Sequence, residues 1–216
     1  MKKKDNSAHK IIFLSIGIFL LISFNSFSQD IPAEKSLLVK LPLTSSIFGD
    51  VMTESAALGM GIESFINPRY SFNQDILYVF HVLRDNNLFV EPVEKINGIK
   101  SNTGLRRYFS KQYPQSGFFV SADWLNLYTH CIKKNGEFEW DVNRFRTQLT
   151  VNPGLLVYNQ PNKTGVLTFE LLAGAGVGYV FANTDIDKSL IPNDSYSKPG
   201  FYPWINVDFK IGFKLK

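Results

Sequence analysis

The chain has 216 residues, 44% hydrophobic, 19% charged and 14% aromatic, with 15 Gly and 10 Pro, a composition foreign to disordered, collagenous or coiled-coil chains. One cysteine excludes a disulfide framework and a cysteine-cluster zinc site, and three scattered histidines argue against a histidine metal centre. The formal net charge of +4 is concentrated at the N-terminus.

Lys2, Lys3, Lys4 and Lys10 open the chain, and an apolar run of twelve residues follows from Ile11 to Ile22. Ser26-Phe27-Ser28 then places small residues where a signal peptidase reads. This order predicts a secretory signal peptide over 1–28, cleaved to leave Gln29. A membrane-spanning helix would need roughly 20 apolar residues. Without 1–28 the net charge falls to +1. No basic stripe remains, so nucleic acid is not expected as a partner. The lone Cys131 suits an exported protein that avoids stray thiols. Residues 29–35 are expected as a short periplasmic lead-in, and 36–216 as a single barrel domain.

After Gln29 the recurring pattern is strict alternation, the period-two signature of strands. Eight segments carry it, at 36–43, 56–66, 72–83, 99–110, 117–132, 138–158, 166–182 and 203–215, the first extending to about 48. In the third, Phe72, Ile76, Tyr78, Phe80 and Val82 oppose Asn73, Asp75 and His81. In the fifth, Phe118, Val120, Ala122, Trp124 and Tyr128 oppose Ser121 and Asp123. In the seventh, an apolar face from Phe169 to Phe181 opposes Thr168, Glu170, Gly174, Gly176 and Gly178, and these glycines imply tight curvature or room for bulky neighbours. In the last, Ile205, Val207, Phe209, Ile211, Phe213 and Leu215 oppose Asn206, Asp208, Lys210, Gly212 and Lys214.

The connections alternate too. Joins at 44–55, 84–98, 133–137 and 183–202 alternate with short ones at 67–71, 111–116 and 159–165. The short joins carry turn chemistry, such as Asn67-Pro68 and Tyr113-Pro114. Long connections at one end and short turns at the other are the mark of an outer-membrane barrel. A sheet in hydrocarbon has to close on itself, because no water satisfies an open edge. The expected fold is therefore all-β: an eight-stranded antiparallel up-and-down transmembrane β-barrel, with both ends of the barrel domain on the periplasmic, short-turn side.

Such a barrel needs an apolar band rimmed by aromatics on the lipid side. Tyr78, Phe80, Phe118, Trp124, Tyr128, Tyr179, Phe181, Trp204 and Phe213 are the candidates. The alternation projects Lys40, Arg106, Arg144, Arg146 and Lys210 inward with Glu63, Asp75, Asp123, Glu170 and Asp208, and with Gln148, Thr150 and Asn152 between them. Arg107 competes with Arg106 for the inward position. An eight-stranded interior is just wide enough for side chains to fill. Buried charges must pair, so these ten are expected to plug the lumen and leave no water channel.

Several stretches carry a resemblance. Gly104-Leu105-Arg106-Arg107-Tyr108-Phe109-Ser110, followed by Pro114 and Gly117-Phe118-Phe119-Val120, resembles a hairpin of small outer-membrane barrels in the 3575 family of domains of unknown function. Gly59-Met60-Gly61-Ile62-Glu63, with Asn67-Pro68 and Ser71-Phe72, resembles that family's second hairpin, and Ala173 to Tyr179 its penultimate strand. The match spans roughly 36–215. Barrels of this kind finish on an aromatic residue that signals insertion, whereas Phe213 here is followed by Leu215 and Lys216. The resemblance implies a fold and a place in the outer membrane of a Gram-negative bacterium, and brings no catalytic residues.

Three functions fit this reading. The first is a non-enzymatic barrel with a structural role, or one that recognises ligands through its loops. The longest loop offers Asp185, Asp187, Asp194, Tyr196 and Tyr202. Its partners are membrane lipid and the barrel-insertion machinery, with no cofactor or metal, and the extracellular ligand is unspecified. The second is a lipid-modifying barrel enzyme. That needs a nucleophile, a base and an orienting acid within hydrogen-bond reach, and neither His81 nor His130 has a serine and an acid at a recognisable spacing. The third is a soluble lipocalin-like barrel, with an apolar interior and the ten charges outside.

Overall fold

The alternating segments form eight strands in a computed structural model of the chain, which describes residues 36–47, 55–82, 93–109, 116–135, 138–159, 166–185 and 199–215. The strands are β1 (Leu37–Pro42), β2 (Ser55–Asn67), β3 (Tyr70–Val82), β4 (Val93–Tyr108), β5 (Gly117–Asn135), β6 (Phe138–Tyr158), β7 (Val166–Thr184) and β8 (Gly200–Lys214). A short helix, α1 (Leu43–Ile47), follows β1. The segments expected as signal peptide and periplasmic lead-in lie outside the described residues.

Three expectations about boundaries need correction. β1 stops at Pro42 and does not run on to 48. The Thr44 hydroxyl accepts the Phe209 N–H (3.1 Å), and the Ser45 N–H reaches the Asp208 carboxylate (3.3 Å), so α1 is tied to β8 by side chains. β4 begins six residues earlier than expected, because Val93 and Ile96 bury their side chains and extend its inward face. β5 and β6 run to within two residues of each other, with Asn135 paired to Phe138, so most of the join expected at 133–137 is strand.

Each strand pairs antiparallel with its neighbours in sequence, and β8 closes on β1. Closure is staggered. From Leu38 the paired positions run through Glu63, Asn73, Gly104, Asp123, Thr150 and Gly176 to Trp204. Leu38 itself pairs with Lys214, ten residues further along β8. A ten-residue stagger over eight strands tilts them by about 40° to the barrel axis, so each residue climbs about 2.5 Å.

Burial alternates along every strand. The ten charged residues expected inside are all there, between 0% and 4% exposed. Arg106 takes the inward position and Arg107 is exposed. Leu58, Met60, Ile76, Leu149, Val151, Leu171, Ile205 and Val207 project outward. The interior is layered. Leu38, Phe65, Tyr108, Phe119, Leu156 and Leu172 form an apolar cluster near the end bearing the joins 68–69, 109–116 and 159–165. A second cluster, including Leu77, Val79, Leu125, Leu127, Cys131, Trp140 and Val142, lies toward the opposite end.

The glycines permit the curvature this closure demands. A Cβ at Gly176 would collide with the Leu149 carbonyl oxygen on β6, and one at Gly174 with that of Val151. A Cβ at Gly174 would also strike the Asn152 side chain and one at Gly178 that of Gln148, so the glycine row of β7 makes room both for the neighbouring backbone and for polar side chains inside. Gly117 opens β5 at φ 82°, a conformation that costs other residues about 1–2 kcal/mol.

Candidate functional site

The polar side chains inside the barrel gather in hydrogen-bonded and ion-paired groups between the two apolar clusters. The central group joins four strands. The Lys40 ammonium of β1 donates to both Glu63 of β2 and Glu170 of β7. The Arg106 guanidinium of β4 grips the same two carboxylates: Nη1 lies 3.0 Å from Glu63 Oε2 and 2.7 Å from Glu170 Oε2, and Nη2 lies 2.8 Å from Glu170 Oε1. The fork matches the carboxylate, which makes this a directional contact as well as a charged one. Tyr108 Oη donates to Glu63 Oε1 at 2.6 Å, and Ser71 Oγ donates to the same oxygen.

A second knot lies beside it. Lys210 Nζ of β8 contacts Asp75 of β3 across the lumen, and lies 3.7 Å from Asp208 and 3.9 Å from Glu170. Asp75 also accepts from Asn73 (3.2 Å) and Asn102 (3.4 Å). Asp123 is held by hydrogen bonds from Ser121 (3.0 Å) and Asn152. Asn152 reaches Thr150 (2.9 Å) and receives Asn206 (3.4 Å), so that this group runs from β5 to β8. Arg146 lies apart from this centre, 4.0 Å above the Trp204 ring. Arg144 is buried on the same face of β6.

Six of the ten expected residues thus meet as Lys40, Glu63, Arg106, Glu170, Lys210 and Asp75, with Asp208 at their edge, while Asp123 sits in a group of its own with Ser121, Asn152, Thr150 and Asn206. Arg144 and Arg146 face inward nearer the opposite end. Sequence reasoning missed Tyr108, Ser71, Asn102, Lys100 and Lys133, all buried. Tyr108, Asn102 and Lys100 lie two, four and six residues from Arg106 on one strand, so the same alternation that placed Arg106 inward locates them.

Trp204, expected on the lipid side, shares the inward face of β8 with Asp208 and Lys210 and stacks under Arg146. Tyr202, expected in a loop, lies within β8. Asp185 ends the described part of the loop and accepts the Asp141 N–H at 3.0 Å. Asp187, Asp194 and Tyr196 lie outside the described residues. His130 faces outward, with Nδ1 3.2 Å from Asn143 Oδ1 and Nε2 3.9 Å from Asp141. His81, expected to project inward, is exposed just past a register shift of β2 against β3.

The outer face is zoned as well. Tyr70, Phe109, Phe118, Phe169 and Phe213 are exposed at the end where β1 begins and β8 finishes. Tyr78, Phe80, Tyr128, Phe181 and Phe201 are exposed toward the other end. The pairs Tyr70/Phe80, Phe118/Tyr128 and Phe169/Tyr179 each stand ten residues apart on one strand. At the strand tilt this separates the two aromatic rings by about 25 Å. Beyond the second ring the outward positions turn polar, with Asn97, Asn143 and Asn183 exposed. No protein-family profile, curated protein or solved structure matches the chain.

Proposed function

We propose that this chain is a non-enzymatic integral outer-membrane barrel with a side-chain-filled lumen, acting as a structural element or recognising ligands at the end opposite its short turns. One observation carries the reading: two exposed aromatic rings bracket an aliphatic band, while twelve charged side chains among the described residues are buried inside the same wall. The ring spacing of about 25 Å equals the apolar height of outer-membrane barrels. A lipocalin-like barrel would carry the opposite partition, apolar within and polar without. The resemblance to the 3575 family accords with this reading, as does an N-terminus built like a signal peptide.

The recognising end would be the one from which β5 and β6 project. From Tyr128 to Asn135 the strand continues for seven residues, roughly 18 Å along the axis at that tilt. Carbonate extraction, followed by electrophoresis with and without boiling, tests the proposal. Retention in the outer membrane and a heat-dependent mobility shift are expected. Release by carbonate with no shift would refute it.

A further inference from the structure

The aliphatic band is interrupted on one side only. Opposite β3 and β4, the walls formed by β7 and β8 show Leu171, Ala173, Ala175, Val177, Ile205 and Val207 between the aromatic rings. On β3 to β6 the outward positions carry Gln74, Thr103, Ser101 and Asn126 between the rings, and Thr147 at the level of the second ring, where it pairs with Tyr179. The register sets them in two adjacent rows: Gln74 pairs with Thr103, Ser101 with Asn126, and Asn126 with Thr147. The result is an uncharged polar stripe, crossing the wall obliquely between the two rings.

Part of the stripe satisfies itself. Thr103 Oγ1 donates to Gln74 Oε1 at 2.6 Å, Gln74 Nε2 donates to Ser101 Oγ at 3.1 Å, and Trp124 Nε1 donates to Thr147 Oγ1 at 2.8 Å. Asn126 Oδ1 is closed off from solvent and accepts no hydrogen bond. Polar side chains facing hydrocarbon are costly unless they find partners, and in membranes such groups join polypeptides.

Resting on the outer-membrane reading above, we infer that the β3–β6 stripe is the contact face of a homodimer whose two-fold axis runs along the membrane normal. Amides and hydroxyls have the capacity both to donate and to accept. The stripe therefore complements itself without opposite charges, as a two-fold contact requires, with the same patch on each copy. Ser101, Thr103 and Ala122 are small enough to let the two walls approach closely.

The test uses the full-length protein in lipid vesicles, with oxidative cross-linking of single added cysteines. The native Cys131 is fully buried inside and sets the baseline. Ser101→Cys and Ala122→Cys should form disulfide dimers, while Val207→Cys, on the far wall, should not. The triple variant Gln74→Leu, Asn126→Leu, Thr147→Val should keep its heat shift yet weaken the dimer by roughly ten-fold in dissociation constant, the scale of a few lost intramembrane hydrogen bonds. A heat-shifting protein that is monomeric, or that cross-links equally from both walls, overturns the dimer and leaves the membrane proposal standing. A native chain with no heat shift overturns both.

Discussion

Glu170 faces three cations, Lys40, Arg106 and Lys210, so neutralising it should expose what the network contributes. Glu170→Gln keeps the shape and removes the charge. It strands one guanidinium with both Nη atoms within 2.8 Å, the Lys40 ammonium, and Lys210 at 3.9 Å. Removing one partner of a buried ion pair costs about 3–5 kcal/mol. Glu63 still faces Lys40 and Arg106, and the glutamine oxygen accepts one bond, so the expected loss is about 3 kcal/mol. That is about two orders of magnitude in the folded-to-unfolded ratio. Urea titration in detergent micelles reads it twice, through the heat-shifted band and through tryptophan fluorescence. The companion is Arg106→Met with Glu170→Met, which leaves Lys40 with Glu63 and Lys210 with Asp75. The double variant should lose less than Glu170→Gln alone, because no charge is stranded. A single-variant loss below about 1 kcal/mol, or a double-variant loss equal to the two singles added, would refute the idea that these ions act as a unit.

Other outcomes follow from the two faces of the wall. Val151→Arg, midway between the aromatic rings, should cost about 2–4 kcal/mol in a bilayer, whereas Asn183→Arg beyond the second ring should cost about 0–1 kcal/mol; equal costs in vesicle unfolding would contradict the placement of the band. Gly176→Val should abolish the heat-shifted species, since its Cβ would strike the Leu149 carbonyl, whereas Gly200→Ala meets nothing closer than Tyr202 at 3.5 Å and should fold normally. In planar bilayers the purified protein should show no steady conductance of nanosiemens size, because ions and apolar clusters fill the lumen; open-channel steps of that size would show that it is not plugged.

Much of this architecture was legible in the sequence because alternation is a direct readout of two-faced strands. The run from Ile205 to Leu215 and the row from Phe169 to Phe181 needed no further information, and the burial of all ten charges followed from parity. What alternation cannot carry is register and ends. Arg106 and Arg107 are both charged and adjacent, so only the pairing of β4 with its neighbours decides which faces in. Trp204 looked like an interface residue because it is an aromatic near a strand end, and Tyr202 like a loop residue because it follows Pro199, yet the strand runs through both. The start of β4 was hidden by Glu94, Lys95, Asn97 and Gly98, whose polarity imitates a loop, while Val93 and Ile96 do the burying. The side-chain bonds that bend the chain away from β1 at Pro42 run to Asp208 and Phe209, far away in sequence.

The closing seam also has a consequence for how the molecule is made. β1 is the shortest stave, registered with β2 at four positions and with β8 at five. Its last partners stand at the other extreme of the chain, and contacts so remote in sequence form late, because the intervening chain must be ordered first. Until Leu38 meets Lys214, the growing sheet has two open edges and an aliphatic outer face, a combination that invites aggregation in water. Lys40 sits at this seam and touches carboxylates from β2 and β7. The ion cluster is therefore complete only when the ring is shut, so that in assembly it serves as the latch of the closed cylinder.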